Sequence, residues 1–189
     1  MLSTGTASGK SLAYQLPALT SIEQCRGPRG QRGATVLYVA PTKALAQDQL
    51  TSLLGLGVDL RAGTYDGDSP LDQRDWVRDH ADYVLTNPDM LHRSILPGHH
   101  RWAAFLRTLR YVVVDECHHY RGVFGAHVSH VLRRLRRVCA LYGAEPTFVL
   151  ASATVAEPEV AGARLTGLEM LPVIGDGAPR GEVALALWE

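Results

Sequence analysis

Few cysteines and no long apolar run are the first features that limit the interpretation of this sequence. The 189 residues include 3 cysteines, and no two of them form the Cys-x-x-Cys spacing of a zinc site or a redox disulfide. No stretch approaches the roughly 18 to 20 uninterrupted apolar residues of a membrane-spanning helix, and the chain does not open with a basic segment followed by an apolar core. We therefore expect reduced thiols, no membrane partner and a cytoplasmic location.

The sequence also lacks a net charge of either sign. Lys+Arg 19 and Asp+Glu 19 balance, so no global cationic field attracts nucleic acid, and any such binding must come from local residues. The 46% of apolar residues suffice for one core of ordinary domain size. We predict one domain over residues 1–174, followed over residues 175–189 by a Gly- and Pro-punctuated segment that looks like the start of a linker.

Short β-branched runs alternate with segments of helical period along the chain. The run over 111–114 is apolar without alternation, which is typical of a central strand buried on both faces. Because helices between strands imply a parallel sheet covered on both faces, we predict an α/β fold with three layers, α/β/α, around a mostly parallel sheet. Strands are predicted at 35–39, 83–86, 111–114 and 148–150, and helices at 10–19, 43–54, 70–79, 88–94, 123–142 and 157–165.

A loop of small residues directly precedes the first predicted helix. Backbone N–H groups of such a loop can surround phosphate oxygens, while a lysine reaches the β- and γ-phosphates and a serine hydroxyl ligates Mg²⁺. A Gly/Ser-rich turn that only caps a helix is the alternative, and a Gly or Ala is more usual at position 4. The candidate phosphate-binding residues are Thr4, Gly5, Thr6, Ala7, Ser8, Gly9, Lys10 and Ser11.

Two adjacent carboxylates, Asp115 and Glu116, follow the apolar run over 111–114. Open α/β sheets bind ligands at the carboxyl ends of their strands, where a phosphate loop also opens. The first carboxylate suits anchoring of Mg²⁺, and the second suits deprotonation of an attacking water. The alternative is a helix N-cap with a solvated neighbour. Ser152 and Thr154 follow another apolar strand. Without the phosphate loop and the acidic pair in the same chain, capping of the following helix would be the better explanation for these two hydroxyls.

Five motifs occur in order along the chain: the loop over 5–11, Ala-Pro-Thr-Lys-Ala-Leu-Ala-Gln-Asp-Gln over 40–49, Thr-Asn-Pro-Asp-Met-Leu over 86–91, Asp-Glu-Cys-His over 115–118 and Ser-Ala-Thr over 152–154. Together these motifs resemble the first RecA-like domain of superfamily 2 DEAD/DEAH-box helicases. The resemblance covers residues 3–188 and implies a RecA-like P-loop fold. The segments over 119–128 and 165–181 resemble the YprA-type branch, which is associated with ATP-driven DNA translocation and repair.

The resemblance implies ATP and Mg²⁺ as cofactors and assigns roles to the matching residues. Lys10 would contact the phosphates, and Ser11 and Asp115 would hold Mg²⁺. Glu116 would be the hydrolytic base. Cys117 replaces an alanine that is frequent in the family, and its small side chain should fit without altering the chemistry.

The same resemblance implies a coupling group and a nucleic-acid contact surface. His118 would couple the nucleotide to Ser152 and Thr154. Cations, hydroxyls and amides of the second group suit the fixing of a phosphodiester backbone without reading of its sequence. The residues implied to face nucleic acid, DNA in preference to RNA, are Pro41, Thr42, Lys43, Gln47, Thr86 and Asn87.

The chain ends bear on the expected activity. A phosphate loop normally follows a buried central strand, yet only Met1 and Leu2 precede Ser3, so we expect the sheet to lack that strand and the chain to be truncated. The second RecA-like domain, normally in the same chain, would supply arginines that complete the ATP site. The prediction is thus the ATP-binding N-terminal half of a nucleic-acid helicase or translocase with weak or no hydrolysis on its own. An inactive binding remnant is the alternative, and a P-loop kinase or switch is less consistent with the motifs over 40–43 and 152–154.

The histidines and a cluster of arginines suggest further functions, but a structural role is the favoured interpretation of both. Eight histidines suggest zinc, but adjacent side chains such as His118 and His119 should point apart, and no cysteine set completes a tetrahedral site. A dense basic cluster on the helix predicted over 123–142 is a possible DNA-tracking surface, but a solvated outer face is the favoured interpretation. That cluster consists of Arg133, Arg134, Arg136 and Arg137.

Overall fold

A parallel sheet forms the centre of the computed structural model, which describes residues 1–4, 9–27, 32–153, 155–175 and 177. Its six strands lie in the order β1-β6-β5-β2-β4-β3, and every neighbouring pair is parallel. The strands are β1 (Leu2–Ser3), β2 (Thr35–Val39), β3 (Ala62–Thr64), β4 (Tyr83–Thr86), β5 (Leu109–Val114) and β6 (Thr147–Ser152).

Helices cover both faces of this sheet, which confirms the predicted three-layer architecture. The α-helices are α1 (Lys10–Gln24), α2 (Lys43–Leu54), α3 (Leu71–His80), α4 (Pro88–Met90), α5 (Ala103–Arg107), α6 (Gly122–Leu141) and α7 (Pro158–Thr166). A π-helical turn, Leu91–Ile95, continues α4, and 3₁₀ turns occupy His99–Trp102 and Cys117–His119. No helix in the described part of the chain is long and apolar enough to cross a bilayer.

The side chains of β5 alternate between two apolar clusters, one on each face of the sheet. Val112 and Val114 pack with α6 residues such as Leu132, while Val113 packs with Tyr14 of α1 on the opposite face. Both faces therefore exclude water, which explains why the run over 111–114 is apolar at every position. The position of this central strand therefore determines where the residues after Val114 leave the sheet.

The expected lack of a strand before the phosphate loop is wrong. Leu2 and Ser3 form a short edge strand paired in parallel with Ala151 and Ser152 of β6. On its outer side, the N–H of Ser3 donates to the carbonyl oxygen of Val173 at 2.9 Å, and the N–H of Val173 donates to that of Met1 at 2.8 Å. Two residues are too few to show a hydrophobic period, so sequence pattern alone could not reveal this strand.

Helix α1 extends beyond its predicted end because its apolar stripe continues past Pro17. Tyr14, Ala18 and Ile22 are buried at four-residue intervals, and this packing holds the helix as far as Gln24 despite the backbone hydrogen bond that proline removes. The helix predicted over 88–94 is, in contrast, shorter than expected, since only Pro88–Met90 is α-helical before the π-helical turn begins.

Candidate nucleotide and nucleic-acid site

Lys10 ties the start of α1 to the end of β6. Its Nζ donates to the carbonyl oxygens of Thr4 and Ser152, each at 3.0 Å. Gly9, which precedes it, adopts φ 73, and this left-handed conformation favours glycine. No carboxylate in the described ranges forms an ion pair with Lys10. Two carbonyl dipoles from the described residues therefore hold its positive charge at the sheet edge.

Asp115 emerges from β5 next to α1 and is held by three donors. The backbone N–H of Glu116 donates to Oδ1 at 2.8 Å. The hydroxyl groups of Tyr14 and Tyr38 donate to Oδ2 at 3.0 and 2.6 Å. The hydroxyl of Tyr14 also lies 3.4 Å from the Oγ of Ser11. One phenol thus contacts both residues predicted to hold Mg²⁺, and it places them side by side.

Glu116 has a strained backbone and a contact to His118. Among the described residues other than glycine it alone has a positive φ, 46°, which costs of order 1 to 3 kcal/mol. Its Oε2 lies 3.1 Å from Nδ1 of His118, and the same nitrogen lies 3.4 Å from the Oγ of Ser152. The segment after β5 and the end of β6 are therefore in contact through His118. We name Lys10, Ser11, Asp115, Glu116, His118 and Ser152 the nucleotide cluster.

Cys117 faces the interior rather than the sheet edge. Its side chain is buried, and burial, the largest cause, together with the charge of Asp115 raises its thiol pKa to about 11. A thiol with such a pKa is protonated and unreactive near neutral pH. Cys117 is therefore a small packing residue at this position.

A second group lies at the carboxyl ends of β2 and β4, which are neighbours in the sheet. Thr42 caps α2 by accepting from the N–H of Leu45 at 3.3 Å, and Asn87 caps α4 by accepting from the N–H of Met90 at 2.9 Å. The ammonium group of Lys43 forms an exposed ion pair with Asp68. We name Pro41, Thr42, Lys43, Gln47 and Asn87 the strand-facing cluster; all lie at this edge, with Thr42, Lys43 and Gln47 exposed.

Thr86 does not join that cluster. Its side chain is 1% exposed, and its hydroxyl donates to the carbonyl oxygen of Tyr65 at 2.7 Å. The predicted contact of its side chain with nucleic acid is therefore wrong for this conformation, because the hydroxyl is consumed inside the protein. The sequence could not reveal this, since a strand buried on both faces gives no sign of the direction of its last side chain.

Several predicted residues lie outside the described residues, and others were not predicted at all. Gly5, Thr6, Ala7, Ser8 and Thr154 belong to the first group. The residues that were not predicted as site residues are Tyr14 and Tyr38, which contact Asp115, and Gln49, which contacts Tyr14. Tyrosines fit the apolar pattern of α1 and β2, so their hydroxyl groups gave no separate signal.

The arginines of α6 mainly serve packing. Arg133 and Arg136 donate to carbonyl oxygens of Arg164, Thr166 and Gly167 at 3.0 to 3.1 Å, which satisfies the C-terminal end of α7. Arg134 donates to the carbonyl oxygen of His92 at 2.9 Å. These contacts favour a structural role for the arginine cluster of α6 over a DNA-tracking surface.

The histidine rings show one departure from prediction. His118 and His119 do not point apart, because their ring centroids lie 4.4 Å from each other at an interplanar angle of 34°. Within the ranges that the structure describes, no group of three or more His, Cys, Asp or Glu side chains could hold a metal ion.

Comparison with known proteins places these features in a family. The chain is 49% identical over 182 residues to the uncharacterized ATP-dependent helicase YprA of Bacillus subtilis, covering 94% of the chain and 24% of that protein. It is 39% identical over 196 residues to the ATP-dependent helicase hrq1 of Schizosaccharomyces pombe, covering 100% of the chain and 18% of that protein. The crystal structure of the DUF1998 helicase MrfA bound to DNA matches with TM-score 0.89 and 48% identity, over 95% of the chain and 25% of MrfA.

The chain thus spans about a quarter or less of the length of these relatives. The DEAD-box helicase Mss116, solved with ssRNA and UDP-BeF, shares the fold with TM-score 0.69 at 16% identity. The family model for DEAD/DEAH box helicases matches residues 1–161, which contain all five motifs. The chain therefore belongs to the DEAD/DEAH box helicase family.

Proposed function

We propose that this chain is the ATP-binding first RecA-like domain of an ATP-dependent nucleic-acid helicase or translocase, with the domain over residues 1–174 and the start of a linker over 175–189. The observation that carries the proposal is the meeting of the nucleotide cluster at one sheet edge, with Lys10 beside Ser152 and Tyr14 between Ser11 and Asp115. A relative, the helicase MrfA, has been solved bound to DNA and AMPPNP, an ATP analogue.

The donor set at the proposed metal position suits Mg²⁺. Ser11 and Asp115 offer a hydroxyl and a carboxylate, which are hard oxygen ligands. Mg²⁺ bound there would neutralise charge on the triphosphate. Lys10, fixed by two carbonyl oxygens, is proposed to exchange them for phosphate oxygens, which bind a cation more strongly.

Glu116 and His118 are proposed to handle the proton and the signal of hydrolysis. The carboxylate of Glu116 would accept the proton of the attacking water, and its strained backbone would keep the side chain at the sheet edge. His118 contacts both Glu116 and Ser152, so a shift of either residue changes its hydrogen bonds. Full turnover would require arginines from a second RecA-like domain.

The strand-facing cluster is proposed to hold the phosphodiester backbone. Exposed Thr42, Lys43 and Gln47 stand on the first turns of α2, where helix N–H groups also favour an anion. DNA is the proposed strand, because MrfA is described as bound to DNA, and a task in DNA repair is part of this proposal. A cytoplasmic location is proposed with it.

Equilibrium binding to the purified chain tests the proposal. We expect a fluorescent, non-hydrolysable ATP analogue to bind in a Mg²⁺-dependent manner and a single-stranded DNA oligonucleotide to bind in a salt-dependent manner, with negligible ATP turnover. Glu116→Gln should keep nucleotide affinity within about twofold, since the uncharged amide keeps the shape of the residue. Absence of nucleotide binding by the folded wild-type chain would refute the proposal, and duplex unwinding by this chain alone would refute its dependence on a second domain.

A further inference from the structure

Two buried tyrosines outside the five motifs hold the Asp115 carboxylate. Tyr14 on α1 and Tyr38 on β2 are each 1% exposed, and both donate to the same oxygen, Oδ2. With the N–H of Glu116 on Oδ1, three donors determine the direction of this carboxylate. Burial and the charge of Asp115 raise the pKa of both phenols far above the usual range, so both act as donors at neutral pH.

Tyr14 also contacts the helix that carries the strand-facing cluster. Its hydroxyl lies 3.3 Å from Oε1 of Gln49 on α2, and the Nε2 of the buried Gln15 donates to that same oxygen at 3.3 Å. A phenol carries one proton, so Tyr14 can donate to Asp115, to Gln49 or to Ser11, but not to all of them fully at once. Any shift of α2 that moves Gln49 therefore changes the share of this proton that Asp115 receives.

We propose that Tyr14 is a positioning residue through which helix α2 and the Asp115 carboxylate influence each other, so that binding of a nucleic-acid strand and binding of Mg²⁺ with nucleotide favour one another. This inference rests on the proposed function and adds a physical connection between its two sites. Tyr38 holds the same carboxylate but has no hydrogen bond to Gln49, so Tyr38 should affect metal binding without affecting the coupling.

Tyr83 provides a matched control in the same apolar cluster. Its side chain on β4 is 0% exposed and packs in the cluster that contains Tyr14 and Tyr38. Its hydroxyl has no hydrogen-bond partner among the described residues. Tyr83→Phe therefore removes a buried phenol hydroxyl from this layer without touching Asp115 or Gln49. A general effect of hydroxyl removal on packing would appear in this variant as well.

The experiment measures a coupling factor on the whole 189-residue chain. The dissociation constant of a fluorescent, non-hydrolysable ATP analogue with Mg²⁺ is determined without and with a saturating single-stranded DNA oligonucleotide. We expect the wild-type ratio of these constants to be about fivefold or more. Tyr14→Phe should bring the ratio close to one, and it should also weaken nucleotide binding without DNA by up to about tenfold, because its hydrogen bond to the Asp115 carboxylate is lost. Urea unfolding of each variant checks that the fold is kept.

The other variants separate a connecting role from a merely structural one. Tyr38→Phe should weaken Mg²⁺-dependent nucleotide binding by about tenfold, equally with and without DNA, because a hydrogen bond to a charged group is lost. Tyr83→Phe should match the wild type in both measurements. Gln49 lies at the partly exposed end of the connection, and Gln49→Ala should lose the coupling as Tyr14→Phe does. If Tyr14→Phe does not fold, the coupling ratio of Gln49→Ala tests the proposal in its place.

Retention of the wild-type ratio by both Tyr14→Phe and Gln49→Ala would overturn the proposal, as would a ratio of one in the wild-type chain that binds both ligands. In those cases the proposed function stands, because each ligand still binds. Failure of the folded wild-type chain to bind either ligand would instead overturn the proposed function, and this inference with it.

Discussion

The nucleotide cluster and the strand-facing cluster share one edge of the sheet but are built differently. Contacts of the first join distant parts of the chain: Lys10 to Ser152 spans 142 positions, and Tyr14 to Asp115 spans 101. The helix caps of the second, at Thr42 and Asn87, span three positions. The nucleotide cluster therefore exists only in the folded domain, whereas the strand-facing cluster consists of helix starts with local support, among which Thr42, Lys43 and Gln47 are exposed. Changes in the first should have large, specific effects, and changes in the second small and additive ones.

Lys10→Ala should show the largest effect on binding. The variant removes the cation proposed to contact the phosphates, and we expect a loss of about 100-fold in affinity for the Mg²⁺-bound ATP analogue, as for loss of charge-assisted hydrogen bonds. Titration of the fluorescent analogue measures it. Lys43→Ala is the matched control, since it removes an exposed lysine of the other cluster. Equal losses in the two variants would break the distinction between the clusters.

Alkaline pH should destabilise the core to which the nucleotide cluster is attached. Burial raises the thiol pKa of Cys117 to about 11 and that of Cys139 to about 12, from an ordinary value of 9.0. The unfolded chain releases these protons first, so stability is intact below pH 9.0 and falls as pH rises toward 11. Each thiol should lower the free energy of unfolding by up to about 1.4 kcal/mol per pH unit.

Urea unfolding at pH 8, 9 and 10 would measure this loss. Cys139→Ala serves as a partial control, because it should reduce the slope by about one proton without removing the contribution of Cys117. The phenol pKa values of Tyr14 and Tyr38 are raised in the same sense from an ordinary value of 10.0, so these groups add to the loss of stability above pH 10. A free energy of unfolding that stays constant from pH 8 to 10 would contradict the burial of these groups.

Lys43→Ala should show the smallest effect. Its ammonium group is paired in the open with Asp68, and exposed ion pairs contribute about 0 to 1 kcal/mol to stability, so the fold should be unchanged. Affinity for single-stranded DNA should fall about threefold to tenfold. The slope of log affinity against log salt should become shallower by the amount expected for about one lost phosphate contact. Fluorescence anisotropy at several salt concentrations measures both. An unchanged salt slope would remove Lys43 from the strand-facing cluster.

The same contrast explains what the sequence could predict. The place of Asp115 and Glu116 at the edge of the sheet was predictable, because they directly follow a strand whose apolar residues on both faces mark it as central. Lys10 was predictable because a loop of small residues before a helix is visible locally. The bounds of β2 and α2 were predicted without error, since each has a clear period and a clear start.

What could not be predicted depends on direction and on distant contacts. Tyr14 and Tyr38 read as apolar residues of a helix and a strand, and only the fold turns their hydroxyl groups toward Asp115. Thr86 reads as a polar residue at a strand end, and only the fold shows its hydroxyl buried against Tyr65. The short strand β1 has no period of its own and exists through its pairing with β6.

The most direct test of the central claim is the Mg²⁺ dependence of ATP binding in the wild-type chain and in Asp115→Asn. Calorimetric titration of both with ATP, in the presence and absence of Mg²⁺, measures it. If Lys10, Ser11 and Asp115 form one site, Mg²⁺ should strengthen ATP binding about tenfold or more in the wild type and leave the affinity of Asp115→Asn nearly unchanged. An equal gain from Mg²⁺ in both proteins would contradict the account.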